Sequence, residues 1–244
     1  MKRTSFACLL FLTASFFLTS CNNDASDEKT TDDTTSTNTS NTTSAPVNTI
    51  VTTPESMMVA VHKVADFDKW LASYEAHDSL RVANGLRSYV VGRGVDDPNT
   101  VLVAVKANDG KKAQAFSKDP NLKAAMQKGG VTSTPTFYHN ISEWQDTAQI
   151  STTLRSMSTF TVKDWDAWFK SFQEGKQERI DNGIVDRVVS HDMDDNKKVS
   201  LVTAITDTAK AHAYWKSDML KQRRAAGGVI GEPKRFVFNI AKRY

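Results

Sequence analysis

Thiols are nearly absent from this chain: its 244 residues hold two cysteines, Cys8 and Cys21, and none after position 21. A body without cysteine has no disulfide, no thiolate metal ligand and no cysteine nucleophile. The histidines fall in no His-x-Glu, Glu-x-x-His or His-Glu-x-x-His run, so no metal site and no resident cofactor is expected. There is no Gly-x-Ser-x-Gly elbow and no phosphate-binding glycine loop, which disfavours hydrolases and nucleotide enzymes; Gly92-Arg93-Gly94 sits in a strand pattern. No apolar run reaches the roughly 20 residues of a membrane-spanning helix. Net charge is only +3. Beyond position 55 the chain carries 28 basic and 22 acidic residues without a dense basic block, so no nucleic-acid partner is expected.

What is present begins with a leader. Lys2 and Arg3 precede an apolar stretch from Phe6 to Leu18, too short to cross a bilayer, so residues 1–21 read as a signal peptide. Its end, Leu18-Thr19-Ser20-Cys21, resembles the bacterial lipobox. That resemblance implies that Cys21 is acylated by palmitate-like chains and becomes the new N-terminus, making the membrane a partner through a lipid anchor. Asn22 after the cysteine, by resemblance to enteric lipoproteins, implies the outer membrane, on either face. Residues 22–55 are mostly Thr, Ser, Asn and Asp and read as a disordered tether. As a flexible coil it would span on the order of 30 Å.

The remainder is one domain written twice. Sliding residues 59–135 forward by 98 positions matches about 24 of 77 residues without a gap. Asp66, Trp70, Arg81 and Asn84-Gly85 fall on Asp164, Trp168, Arg179 and Asn182-Gly183, and Gly129-Gly130-Val131 falls on Gly227-Gly228-Val229. The repeats are bounded at 56–146 and 155–244, joined by a link over 143–154. In each copy a β-branched strand leads to a helix of about five turns, capped by Asp66 or Asp164 and stopped by Asn-Gly. A strand, an Asp-Asp turn and another strand follow, then a helical region broken at Asp119-Pro120, then a last strand. The order βαββαβ is ferredoxin-like and the class α+β. Helices from one copy cover one sheet face, so the other face needs a partner, and the second copy supplies an intramolecular pseudo-dimer.

The run Phe67-Asp68-Lys69-Trp70, Tyr74, Arg81, Asn84-Gly85, Asp96-Asp97-Pro98-Asn99, Leu122-Lys123 and Gly130-Val131 before Pro135 resembles the dimeric α+β barrel superfamily. Within it the chain is most similar to antibiotic biosynthesis monooxygenase-like domains. The resemblance implies two facing sheets and clefts between sheet and helices that hold small, often aromatic, ligands. It leaves activity open, because the superfamily includes cofactor-free monooxygenases, haem-degrading enzymes, isomerases and proteins without known chemistry. The Asn, Trp and His arrangement of haem-degrading relatives has no assignable counterpart here.

Residues present in both copies are expected to serve the fold, with Arg81 and Arg179 pairing to the turn carboxylates. Polar residues found in one copy are the site candidates. His62 stands where the second copy has Phe160, His139 where it has Phe238, and His77 where it has Gly175. First and last strands of a ferredoxin-like sheet are neighbours, so His62 and His139 are expected side by side. Tyr89 and Arg93 are expected on one face of the second strand, answered by Arg187 and His191 in the second copy. Such a set suits general-base work, oxyanion stabilisation, or coordination of haem or a metal at an apolar cleft, with the first copy holding the more polar site. Three readings follow: a lipid-anchored binder of a small apolar or aromatic molecule, a cofactor-independent monooxygenase, and a structural or protein-binding envelope module.

Overall fold

The computed structural model describes residues 48–244, so the leader, Cys21 and most of the tether lie outside the described residues. The first repeat runs β1 (Ile50–Val51), β2 (Glu55–Lys63), α1 (Phe67–Ala76), α2 (Asp78–Ala83), β3 (Leu86–Gly94), β4 (Thr100–Ala107), α3 (Gly110–Phe116), α4 (Pro120–Lys128) and β5 (Thr136–Asp146). The second runs β6 (Leu154–Val162), α5 (Trp165–Glu174), α6 (Lys176–Asp181), β7 (Ile184–Asp192), β8 (Lys198–Ile205), α7 (Thr208–Trp215), α8 (Asp218–Ala226) and β9 (Val229–Arg243). The fold is α+β, two tandem ferredoxin-like repeats. Order begins earlier than the tether boundary at 55: Ile50 and Val51 pair with Asp146 and Gln145, and Glu55 is already in β2, held by Lys106 at 2.8 Å. The link between repeats is shorter than expected because β5 runs on to Asp146.

Local chemistry explains the helices. Asp66 and Asp164 each accept a hydrogen bond from the backbone N–H three residues on, which satisfies an otherwise unpaired first-turn donor. Gly85 and Gly183 stand at φ +72° and +70° just past the helix ends, a conformation that glycine adopts without a Cβ clash. The expected five-turn helix is in fact two, broken at His77 in one copy and Gly175 in the other. Its cause is an inserted side chain: Arg81 Nη1 donates to the Tyr74 carbonyl at 2.7 Å, and Arg179 Nη1 to that of Phe172 at 2.8 Å. A guanidinium at that carbonyl displaces the next ladder bond and bends the helix. Neither arginine pairs with the turn carboxylates. Arg81 takes Asp78 and Arg179 takes Asp186, while Asp97 binds Lys63 and caps its own turn at Asn99 and Thr100.

The strands form a barrel in the order β5-β2-β4-β3-β9-β6-β8-β7, with β7 returning to β5 and β1 added along β5. The last strand of each repeat therefore crosses into the other: β9 pairs with β3 and β5 with β7. Period-two alternation sorts the side chains. Met57 and Val59 point inward to pack with Leu102, Ala104, Met157 and Phe238. Met58 points outward with Val103 and Val105 against Phe67 and Trp70 of α1. In the second repeat Val162, Val189 and Val199 meet Trp165 and Trp168 of α5 in the same way.

Candidate functional site

On the helix-covered face of the first repeat, β2 presents Met58, Ala60 and His62 toward α1, and α1 answers with Trp70 and Tyr74. Between them and α4 lies a cleft of about 640 Å³, its open mouth included. Its lining is apolar except for His62, His77, Ser73, Arg81 and the Tyr74 hydroxyl, which is held by Ser88 at 2.7 Å. His62 is 4 % exposed, and neither ring nitrogen has a hydrogen-bond partner. Trp70 meets its ring edge-on at 5.6 Å. Burial pushes the imidazole down to about 4, so at neutral pH it is uncharged and offers one N–H donor and one bare acceptor. Unpaired buried polar atoms carry a desolvation penalty of about 1–3 kcal/mol, which a ligand hydroxyl would relieve.

His77 lines the same cleft at the break between α1 and α2, but its Nδ1 is engaged by the Ser73 carbonyl at 2.6 Å. Arg81 is buried and spent on Tyr74, Asp78 and Ser88, with its guanidinium 3.7 Å above the Tyr74 ring. It braces the cleft wall.

The other expected site residues lie elsewhere. His139 shares the face of His62, but the register sets it opposite Met58, four residues away. That is about 13 Å along the strands. Its Nε2 meets Ser117 Oγ at 3.1 Å, and Phe137 stacks on it, standing between the two histidines. Tyr89 and Arg93 do not share a face. Tyr89 is the extra residue of a β-bulge between Ser88 and Val90, which reverses the alternation. Tyr89 therefore points into the barrel, while Arg93 stays on the helix side, 4.5 Å above the Phe67 ring with Nε on the Pro98 carbonyl. The second copy repeats this: a bulge at Arg187 turns it into the barrel, and His191 packs edge-on to Trp165 at 4.7 Å and meets Glu143 at 3.2 Å. Arg93 and His191 thus both cover the first aromatic of the first helix of their own repeat, a packing role.

The second repeat has the equivalent cleft, about 730 Å³, and it is the more polar one. Ser156 stands for Met58, Ser158 for Ala60, Thr203 for Val105, and Arg223 and Arg224 for Ala125 and Met126. This reverses the expectation that the first copy holds the polar site. The signal was in the duplication, read in the direction of residues polar only in the second copy. Much of that polarity is internally paired: Arg179 binds Asp186 at 2.6 Å, and Arg223 binds Glu178 at 2.5 Å.

Among the described residues no three His, Cys, Asp or Glu side chains converge, and the imidazoles that line the first cleft are those of His62 and His77.

No family model matches the chain, and no curated protein matches it. Solved structures share its fold at low identity. An anthrone oxidase-like protein superposes with a TM-score of 0.58 at 13% identity, over 80% of this chain and 95% of the other. A protein assigned as a monooxygenase from Fusobacterium nucleatum superposes with 0.52 at 13% identity, over 78% and 93%. A mutant chlorite dismutase from Candidatus Nitrospira defluvii superposes with 0.53 at 11% identity, over 78% and 92%. At these identities the likeness is one of fold alone.

Proposed function

We propose that this chain is a lipid-anchored envelope protein, acylated at Cys21, whose first-repeat cleft binds a small aromatic molecule bearing a hydroxyl or enol group. The observation that carries the binding reading is His62, a buried imidazole with both nitrogens unpaired in an apolar cleft. An aromatic ring fits beside Trp70 and Tyr74, where stacked pairs are worth about 0.5–1.5 kcal/mol beyond area burial. A hydroxyl fits the imidazole, which donates from one nitrogen and accepts at the other. The anchor reading rests on Leu18-Thr19-Ser20-Cys21 behind a charged, apolar leader.

Titration of the full chain with 1-naphthol tests the cleft. His62→Phe, which copies Phe160 of the second repeat, should weaken binding at least tenfold while naphthalene binding stays within a few-fold. Equal loss for both probes, or for neither, overturns the role of His62. Metabolic labelling with palmitate tests the anchor, and label retained after Cys21→Ser overturns it.

A second reading is a cofactor-independent oxygenase, favoured by the bare His62 nitrogen as a proton acceptor. With anthrone as substrate, His62 would take a ring-carbon proton, the carbanion would be oxidised by dioxygen, and anthraquinone and water would leave. An imidazole held down to about 4 is a weak base at neutral pH, which is why binding ranks first. Oxygen uptake on adding anthrone, lost in His62→Phe, would raise the enzyme reading above it.

A further inference from the structure

Inside the barrel, remote from both helix-covered clefts, lies a third cavity of about 770 Å³, its mouth included. Met57, Met157 and Phe238 are among its apolar wall residues, which Asn140, Ser190 and Ser200 interrupt. One end is different. Arg155, Arg187 and Arg243 all reach it, and the acidic residue in the lining is Asp146. Each arginine is aimed inward by a definable backbone feature. Arg155 shares the inner face of β6 with Met157. Arg187 is the extra residue of the β7 bulge. Arg243 follows an extra residue, Ala241, in β9 opposite β3, so that Lys242 turns out to Glu75 and Arg243 turns in.

Arg155 is 2 % exposed. Its Nη1 donates to the carbonyls of Thr152 and Leu154 at 2.8 and 2.9 Å, and its Nη2 has no partner. No carboxylate lies within ion-pair distance of it among the described residues. Burial and the fields of Arg243 and Arg187 push it down to about 10, still charged at neutral pH. Asp146 offsets only one of the three charges, that of Arg187. Its Oδ1 is taken by Thr49 at 2.9 Å and the Ala148 N–H at 2.9 Å, and its Oδ2 is 3.6 Å from Arg187. A buried guanidinium without a counter-charge is costly to a fold, and here two more cations stand beside it. The duplication sharpens the point: the first-repeat counterparts of Arg155 and Arg187 are Met57 and Tyr89, so neither arginine is needed to build the barrel.

We propose that the barrel interior binds a hydrophobic monocarboxylate, its carboxylate on Arg155, Arg187 and Arg243 and its apolar body along Met57, Met157 and Phe238. A guanidinium presents paired N–H donors that match a carboxylate, and Nη2 of Arg155 is free to make that bond. The apolar wall disfavours a bare inorganic anion, which would leave it unfilled. This site is distinct from the His62 cleft, which lies on the other face of the sheet.

The test is calorimetric titration of the full chain with decanoate and with its uncharged counterpart, 1-decanol. Decanoate should bind at least tenfold more tightly than decanol, and more weakly as salt rises. Arg155→Met, which copies the first repeat, should cost decanoate at least tenfold and leave decanol within two- to threefold. Arg243→Gln, at an exposed position, should weaken decanoate several-fold even if Arg155→Met folds poorly. His62→Phe should leave decanoate binding unchanged. Equal affinity for acid and alcohol, no decanoate binding, or loss in His62→Phe but not in Arg243→Gln would each overturn the proposal.

Discussion

His62 stands edge-on to Trp70, ring centroids 5.6 Å apart and planes at 65°, and Phe160 meets Trp168 at 5.4 Å with the same angle. The two repeats therefore build one aromatic contact, and the first fills it with a titratable ring. An apolar ring is already accommodated at that place in the second copy, so His62→Phe should fold without repacking.

The same pair sets a pH dependence. The unfolded chain protonates His62 near 6.5 and the folded chain only near 4. Between these values the unfolded state binds more protons, so stability rises with pH across the window and is lost as pH falls from 6.5 toward 4. The shift corresponds to at most about 3–4 kcal/mol. Urea denaturation at pH 7 and pH 4.5 should show a clear drop for the wild type and a smaller one for His62→Phe. Identical drops would mean that His62 is not held neutral by burial.

Arg81 and Arg179 occupy equivalent positions but are paired differently. Asp186 is 5 % exposed and receives two hydrogen bonds from Arg179, at 2.7 and 2.6 Å. Its first-repeat counterpart is Ser88, and Arg81 turns instead to Asp78, whose side chain is 56% exposed. Removing Arg179 strands a buried carboxylate at a cost of about 3–5 kcal/mol, whereas removing Arg81 leaves Asp78 in water. Arg179→Met should therefore lower the urea midpoint more than Arg81→Met. The reverse order would refute this account of the buried pair.

Much of this architecture is legible in one sequence because it is written twice. The offset of 98 identifies the strands, the Asp66 and Asp164 caps and the Gly85 and Gly183 stops, each position checking its partner. The bulges were not legible. Tyr89 and Arg187 carry no glycine or asparagine signal, yet one extra residue there reverses every later side chain of the strand, which is why Tyr89 and Arg93 part company. Register was equally hidden, since neighbouring strands put His62 and His139 on one face without fixing their offset. Of the candidate residues, His62 and His77 meet in a cleft. Arg155 was visible as a polar replacement of Met57, but its significance depends on knowing which face of β6 points inward.

Gly92 sits where the halves join. It lies in β3 beside β9, and a Cβ there would overlap the Phe238 ring, with Cε2 at 2.8 Å. Phe238 is buried in the inner core, so the ring has little room to retreat. Gly92→Ala should destabilise by about 1–3 kcal/mol, the usual range for overpacking. Measured unfolding free energy unchanged within error would show that the β3–β9 seam yields more easily than its packing implies.

The barrel also predicts what half of it would do. Residues 1–150 alone would expose the inner face of Met57, Val59, Leu102 and Ala104, together with the β3 and β5 edges that β9 and β7 normally cover. An apolar face with open edges seeks a partner, and a second copy of the fragment presents the complementary strands. Light scattering should give twice the fragment mass; a soluble monomer would contradict the barrel as the source of stability. Such a homodimer would keep both His62 clefts, whose lining lies within residues 58–137. It would lack Arg155, Arg187 and Arg243, which all belong to the second repeat. It should therefore retain 1-naphthol binding and lose decanoate binding, separating the two sites by their chemistry.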